Sequence, residues 1–166
     1  MTKIVHTSHD VHYLPTPNRV EIVLTDDLSP LELTRTAFMV PVYEDGSFLF
    51  AVNQRRGVEI PGGHIDDGET PEQAAIREAY EEAGCRVEDV RPLGYLRMIS
   101  EGDVPDDWGY PHPVSYQQFF TGRITNVEPF TPNDECAEPM RFHDLGDDRI
   151  TRPEIRILGI AARDRA

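Results

Sequence analysis

Residues 63–85 read GHIDDGETPEQAAIREAYEEAGC, and the layout of the whole chain follows from this stretch. Residues 70–83 predict a helix whose two ends are written into the sequence. Thr70 can cap it, Pro71 suits the first helical position, and Gln73 completes a capping box. Gly84 is the stop residue. Ala75, Ala79 and Ala83 recur at helical spacing, so one face is small and apolar and suited to close packing on a sheet. Glu78, Glu81 and Glu82 stand at i, i+3 and i+4, so their carboxylates share another face within one turn. Like charges at this spacing cost about 0.2–0.5 kcal/mol per pair. They also lie near the negative end of the helix dipole, where cations are preferred. Arg77 tempers the cost by pairing with Glu81. Two readings account for such a face: a solvated acidic surface, or a seat for a hard divalent cation that prefers oxygen ligands. Spacing alone leaves both open.

Outward from this helix the chain alternates strands and turns. Residues 20–24, 36–43 and 47–53 are strand-like, and the last two flank Glu44-Asp45-Gly46, a hairpin signal. Residues 58–60 form a short third piece closed by Pro61-Gly62-Gly63. Residues 91–99, 115–124 and 140–143 are further strands. The acidic, Pro- and Gly-rich residues 100–113 are a loop. Residues 153–163 predict a C-terminal helix with Ile155, Leu158 and Ala162 on one side. Pro15 and Pro17 block helix in residues 1–19. His6, His9 and His12 recur there every third residue, and an edge strand or flexible segment is preferred to a metal site. The pattern is a mixed α/β (α+β) layered domain, and 166 residues are room for one such domain spanning residues 1–166.

Composition narrows the function. Asp and Glu number 30 against 16 Lys and Arg, a net charge of −14. Such a chain is a poor grip for nucleic-acid polymers, which need clustered Lys and Arg, and for anionic membranes. No apolar run approaches the ~20 residues of a membrane-spanning helix, and the N-terminus lacks the pattern of a secretory signal. Cys85 and Cys136 make neither a disulfide framework nor a zinc site, so the expected location is the cytoplasm with both thiols reduced. Small polyanions remain open, because a metal ion can bridge acidic protein to acidic ligand.

Gly63, Glu69, Arg77, Glu78, Glu81, Glu82 and Gly84 together resemble the signature of the Nudix (MutT-like) hydrolase family, GX5EX7REUXEEXGU, where U is bulky and aliphatic. Every fixed position is occupied, and a chance match is on the order of 10⁻⁸ per window. The two U positions depart from the pattern, being the smaller Ala79 and Cys85. The resemblance implies a Nudix fold, an α-β-α sandwich around a mixed β-sheet, with the box at residues 63–85 and residues 1–35 as an extension packed on the core or pairing with it. It also implies a metal-dependent hydrolase that cleaves a diphosphate linkage in a nucleoside diphosphate derivative.

Carried onto this chain, Glu78, Glu81 and Glu82 become ligands of Mg²⁺ or Mn²⁺, with the Gly62 carbonyl as a further one. Glu78 and Glu81 are also candidates to orient or deprotonate water. Arg77 pairs with Glu69 or Glu81 and steadies the ligands. Gly62 and Gly63 let the backbone approach metal and phosphate. A general base late in the chain points to Glu135 first and Glu138 second, against the alternative of an exposed acidic loop. Arg55 and Arg56 are phosphate contacts or surface charges. Trp108, Tyr110 and Tyr116 are base-stacking or packing rings, and residues 101–108 a candidate lid. Gln117 and Gln118 either read a base edge or face solvent. His64 and His112 read as ordinary polar residues.

The similarity of GETPEQA to hydrolases of oxidised nucleotides favours a nucleoside triphosphate, oxidised forms included, going to monophosphate and pyrophosphate. ADP-ribose, sugar nucleotides, dinucleotides and a non-catalytic nucleotide-sensing module are the alternatives. The expected partner is a small-molecule nucleotide. A homodimer involving residues 1–35 is an expectation from relatives.

Overall fold

A computed structural model describes residues 1–166. Nine strands and two helices follow one another along the chain. They are β1 (Lys3–His9), β2 (Asn18–Leu24), β3 (Thr34–Val42), β4 (Phe48–Asn53), β5 (Gly57–Glu59), β6 (Gly62–His64), α1 (Pro71–Ala83), β7 (Cys85–Ser100), β8 (Val114–Val127), β9 (Cys136–Phe142) and α2 (Pro153–Arg165). The strands form one sheet in the order β1-β2-β7-β8-β3-β4-β5, with β6 beside β3 and β9 beside β4. All pairings are antiparallel except that of β3 with β8, which makes the sheet mixed.

The period of two along β3 and β4 builds two cores. Val40, Val42, Phe48 and Phe50 face one way, into a cluster with Phe142, Leu93 and the α2 residues Ile155, Leu158 and Ala162. Ala37, Met39 and Leu49 face the other way, against Ala74, Ala75, Ala79 and Ala83 of α1. The expected sandwich, with a helix on each face of the sheet, is therefore present. The ends of α1 are as its sequence predicts. Thr70 and Gln73 exchange both capping-box bonds, and Gly84 ends the helix in the left-handed region at φ 64°.

Several elements differ from the sequence reading, each for a physical reason. The Asp45-Gly46 turn closes as expected, the Tyr43 N–H donating to the Ser47 carbonyl at 2.8 Å. Yet β3 and β4 pair only at Val42 and Phe48, because β4 splays away to take β9 and β5. The long partner of β3 is β8, a non-local parallel pairing that no local pattern announces. Pro61-Gly62-Gly63 does more than end a strand: Gly62 and Gly63 lie in β6 and pair with Phe38 and Ala37. β7 begins at Cys85 rather than near residue 91, and its register shifts absorb the charged and Pro-containing residues 86–94. β9 likewise begins at Cys136, so Glu138 lies within a strand.

His6 and His9 lie in the outer edge strand β1. Gln118 neither faces solvent nor offers itself to a base. It is fully buried, accepting from the Ser29 N–H (2.8 Å) and hydroxyl (2.9 Å) and donating to the Gly94 (3.0 Å) and Phe119 (3.1 Å) carbonyls. No helix is long and apolar enough to cross a membrane.

Candidate functional site

The alanine face of α1 lets the helix sit close to the sheet, and its acidic flank thereby meets β6. Neither glycine of β6 has room for a side chain. A Cβ on Gly62 would overlap the Phe38 ring, and one on Gly63 would stand 2.6 Å from Glu78 Oε1. The Gly62 N–H donates to Glu82 Oε1 at 2.8 Å, and the Cys136 thiol lies 3.6 Å from Glu82 Oε2. Helix, glycine strand and the start of β9 thus converge on one carboxylate.

Arg77 organises the rest. Its guanidinium forks onto Glu69 (2.8 and 2.9 Å) and reaches the His64 carbonyl at 3.0 Å. Its Nη1 donates to Glu78 at 3.0 Å and to Glu81 at 3.1 Å. Both pairings expected of Arg77, with Glu69 and with Glu81, are therefore made at once. A bidentate guanidinium fixes direction as well as charge. This hydrogen bonding holds the Glu69 carboxyl below its usual range.

The other carboxylates move the opposite way. Burial pushes Glu82 up to about 7, opposed by the Gly62 N–H and reinforced by the charge of Glu78. Burial also raises Glu78, against the pull of Arg77. Two carboxylates, one half-buried with no cationic side chain upon it, beside the side-chain-free backbone of Gly62 and Gly63, make a set of hard oxygen donors. That set fits a hard divalent cation. The three glutamates do not form a single converging cluster, however, and no group of three or more His, Cys, Asp or Glu side chains is gathered at one point. Glu81 is more than half exposed and lies across the Arg77 guanidinium, which supplies the neutralising charge on that side.

The remaining candidates separate into near and far. After β4, Asn53 Oδ1 accepts from the N–H groups of Arg55 and Arg56, both at 2.9 Å, so both arginines sit in the turn. Arg56 pairs with Glu59, which also holds Arg152 at 3.1 Å. The charges of Glu135 and Glu82 also bear on Arg56, and those of Glu82 and Glu135 on Cys136, whose thiol burial pushes up to about 12. Glu135 is therefore on the Glu82 side of the site, in a loop tied to the arginine turn by the Gln54 N–H on its carbonyl at 2.8 Å. Glu138 is exposed on β9. Tyr116 packs edge-on to Tyr95 across β7 and β8, centroids 5.2 Å apart, as a cross-strand pair. His112 is held in the loop by its Nε2, which donates to the Gly102 carbonyl at 2.9 Å.

Cys136 and the His64 ring had no signal in the sequence. A cysteine opening a strand looks like any small buried residue, and its proximity to Glu82 depends on the β4–β9 pairing. A separate cavity of about 210 Å³, lined by Arg91, Arg123 and Arg165 among others, opens at the other end of β3 and touches none of the box residues.

Comparison with known proteins bears on this geometry. Residues 33–157 match the model of the NUDIX domain. A Bacillus subtilis protein, named provisionally as an 8-oxo-dGTP diphosphatase, is 29% identical over 100 residues, which are 60% of this chain and 57% of that one. An RNA pyrophosphohydrolase of Psychromonas ingrahamii is 34% identical over 87 residues, 49% of this chain and 48% of its own. The chain thus spans about half the length of these relatives. The crystal structure of a Bacillus subtilis pyrophosphohydrolase superposes with a TM-score of 0.72 at 20% identity and covers 98% of both chains, a likeness of fold.

Proposed function

Because the chain belongs to the NUDIX family, with residues 33–157 matching that domain, we propose that it is a divalent-metal-dependent hydrolase of a nucleoside diphosphate derivative. Its first substrate is a nucleoside triphosphate, oxidised forms included, cleaved to monophosphate and pyrophosphate. Residues 1–166 act as one domain in this reading. The observation that carries it is the half-buried Glu82 carboxylate, raised to about 7 beside Gly62 and Glu78 with no cationic side chain upon it.

Glu78, Glu81 and Glu82, with the Gly62 backbone, are the residues that would hold Mg²⁺ or Mn²⁺. A bound cation supplies neutralisation of the diphosphate charge and makes water a better nucleophile. The chain's own part is positioning, which dominates phosphoryl chemistry. Arg77 fixes Glu78 and Glu81 while Glu69 fixes Arg77. The bare Gly62–Gly63 backbone admits a phosphate close to Glu78. Glu135 takes the proton from the attacking water at its carboxylate, and Arg55 and Arg56 contact a phosphate group of the substrate.

A second reading is favoured by one finding, the similarity to proteins named as RNA pyrophosphohydrolases. The substrate is then the 5′-triphosphate end of an RNA. With a net charge of −14 the chain would take the end and not the length of the polymer.

The test is chromatographic separation of the products formed from nucleoside triphosphates, their oxidised forms, ADP-ribose, sugar nucleotides, dinucleotides and a 5′-triphosphorylated oligoribonucleotide, with Mg²⁺ and with Mn²⁺, pyrophosphate being the product expected from the triphosphates alone. Turnover of a triphosphate that collapses in both Glu81→Gln and Glu82→Gln supports the reading. Near-normal turnover in both variants overturns it. Glu135→Gln with metal affinity intact and a large rate loss supports the base role, and no rate loss removes it.

A further inference from the structure

Residues 101–113, between β7 and β8, are fastened at both ends. At the root, Glu101 N–H donates to the Pro17 carbonyl at 2.9 Å and the Ser100 hydroxyl to the Pro15 carbonyl at 2.6 Å. Gly102 lies so close to the Thr16 carbonyl that a side chain there has no room. At the tip, the Tyr110 ring stacks on the His64 ring, centroids 6.0 Å apart and planes 28° from parallel. The Tyr110 hydroxyl also contacts His64 Nε2 at 3.3 Å. Trp108 meets Tyr110 at 5.8 Å and 63°, so the two rings form an angled corner.

This row of rings has a defined place. His64 ends β6, directly after the glycine against which Glu78 lies, and Arg77 holds its carbonyl. The rings are not core: His64 is exposed and Tyr110 remains 41% exposed. An exposed aromatic corner fixed at both ends, one residue from the glycine that Glu78 lies against, is a preorganised face for a flat ring. The loop's own charge sorts the two ends of a nucleotide. Asp103, Asp106 and Asp107 are exposed carboxylates that repel phosphate and tolerate a neutral base.

We propose that Trp108 and Tyr110, docked on His64, form the nucleobase-binding surface of the site, with the base stacked on Tyr110 and the phosphates at Gly62–Gly63. This rests on the proposed function for its phosphate end. Stacking reads the ring face and not the hydrogen-bonding edge, so the surface accepts purines and pyrimidines alike, purines more tightly through their larger area.

Trp108 is the chain's single tryptophan, so its fluorescence reports the corner directly. The α,β-methylene analogues of GTP and CTP, and base-free tripolyphosphate, are titrated into the protein with Mg²⁺. Both nucleotide analogues quench Trp108 and tripolyphosphate does not. In Tyr110→Ala the advantage of the nucleotide analogue over tripolyphosphate, measured as a ratio of dissociation constants, falls about tenfold, while Tyr110→Phe keeps most of it. Equal quenching by tripolyphosphate, or an unchanged ratio in Tyr110→Ala with an unshifted melting temperature, overturns the proposal. Pyrophosphate release by the unmodified protein separates the two readings. Quenching without turnover of any triphosphate removes the hydrolase and keeps the stacking surface, and turnover without quenching removes the stacking surface alone.

Discussion

The two faces of the sheet are packed by opposite means. Under α2 the core is an 18-residue cluster rich in Phe, Leu and Ile. Under α1 it is a 10-residue cluster whose helical contribution is four alanines. Large side chains hold α2 away from the sheet and remove much apolar area from water, at about 25 cal/mol per Å². Alanines remove little area but bring the helix backbone near. Only the second arrangement lets short carboxylate side chains on the helix flank touch Gly62 and Gly63. One face therefore carries stability and the other carries proximity.

Breaking this contrast gives a graded series. Phe50→Ala, on the α2 face, is expected to cost about 3–5 kcal/mol in denaturant unfolding while the folded fraction keeps its turnover, because the truncation leaves a cavity on the opposite face of the sheet from the box. Glu82→Gln, on the α1 face, should do the reverse. Turnover falls on the order of 10²–10³-fold, the scale of losing one contact made to the transition state, and the melting temperature changes little. Ala79→Leu tests the need for small residues directly. Overpacking should cost about 1–3 kcal/mol and lift the acidic flank from β6, so turnover falls with stability. Thr70→Ala removes the cap that starts α1 and should cost about 1 kcal/mol in the same unfolding measurement.

The smallest effect is expected at the β3–β4 turn, against which the last turn of α2 rests through the Arg163–Gly46 bond. The Ser47 hydroxyl and N–H, with Arg141 behind them, hold the Asp45 carboxyl down to about 2. A depressed folded value stabilises above the unfolded carboxylate range of about 4 and loses that contribution as pH falls through about 2. Melting curves of Asp45→Asn should differ from the parent at neutral pH and converge between those limits. A gap that persists at low pH would show that the charge is not the cause.

What could be read in advance follows the same division. α1 was legible to the residue because its signals are local: Thr70, Pro71 and Gln73 at one end, Gly84 at the other. So were the pairings of Arg77 with Glu69 and Glu81. The parallel β3–β8 pairing, the strand role of Gly62–Gly63 and the approach of Cys136 to Glu82 were not, since each depends on which distant segment arrives alongside. Gln118 shows the hazard most clearly. A glutamine on a half-polar strand looks the same in sequence whether it faces solvent or fills a buried slot.

That buried amide has a consequence for folding. All four of its hydrogen-bonding positions are filled, and both bonds to its oxygen come from Ser29, a residue ahead of β3. Until that segment docks, the carbonyl of Gln118 sits in a closing apolar layer without a donor, a state worth about 1–3 kcal/mol of instability. The residues that precede β3 thus lock the middle of the sheet, and hydrogen exchange at β8 should quicken in Ser29→Ala.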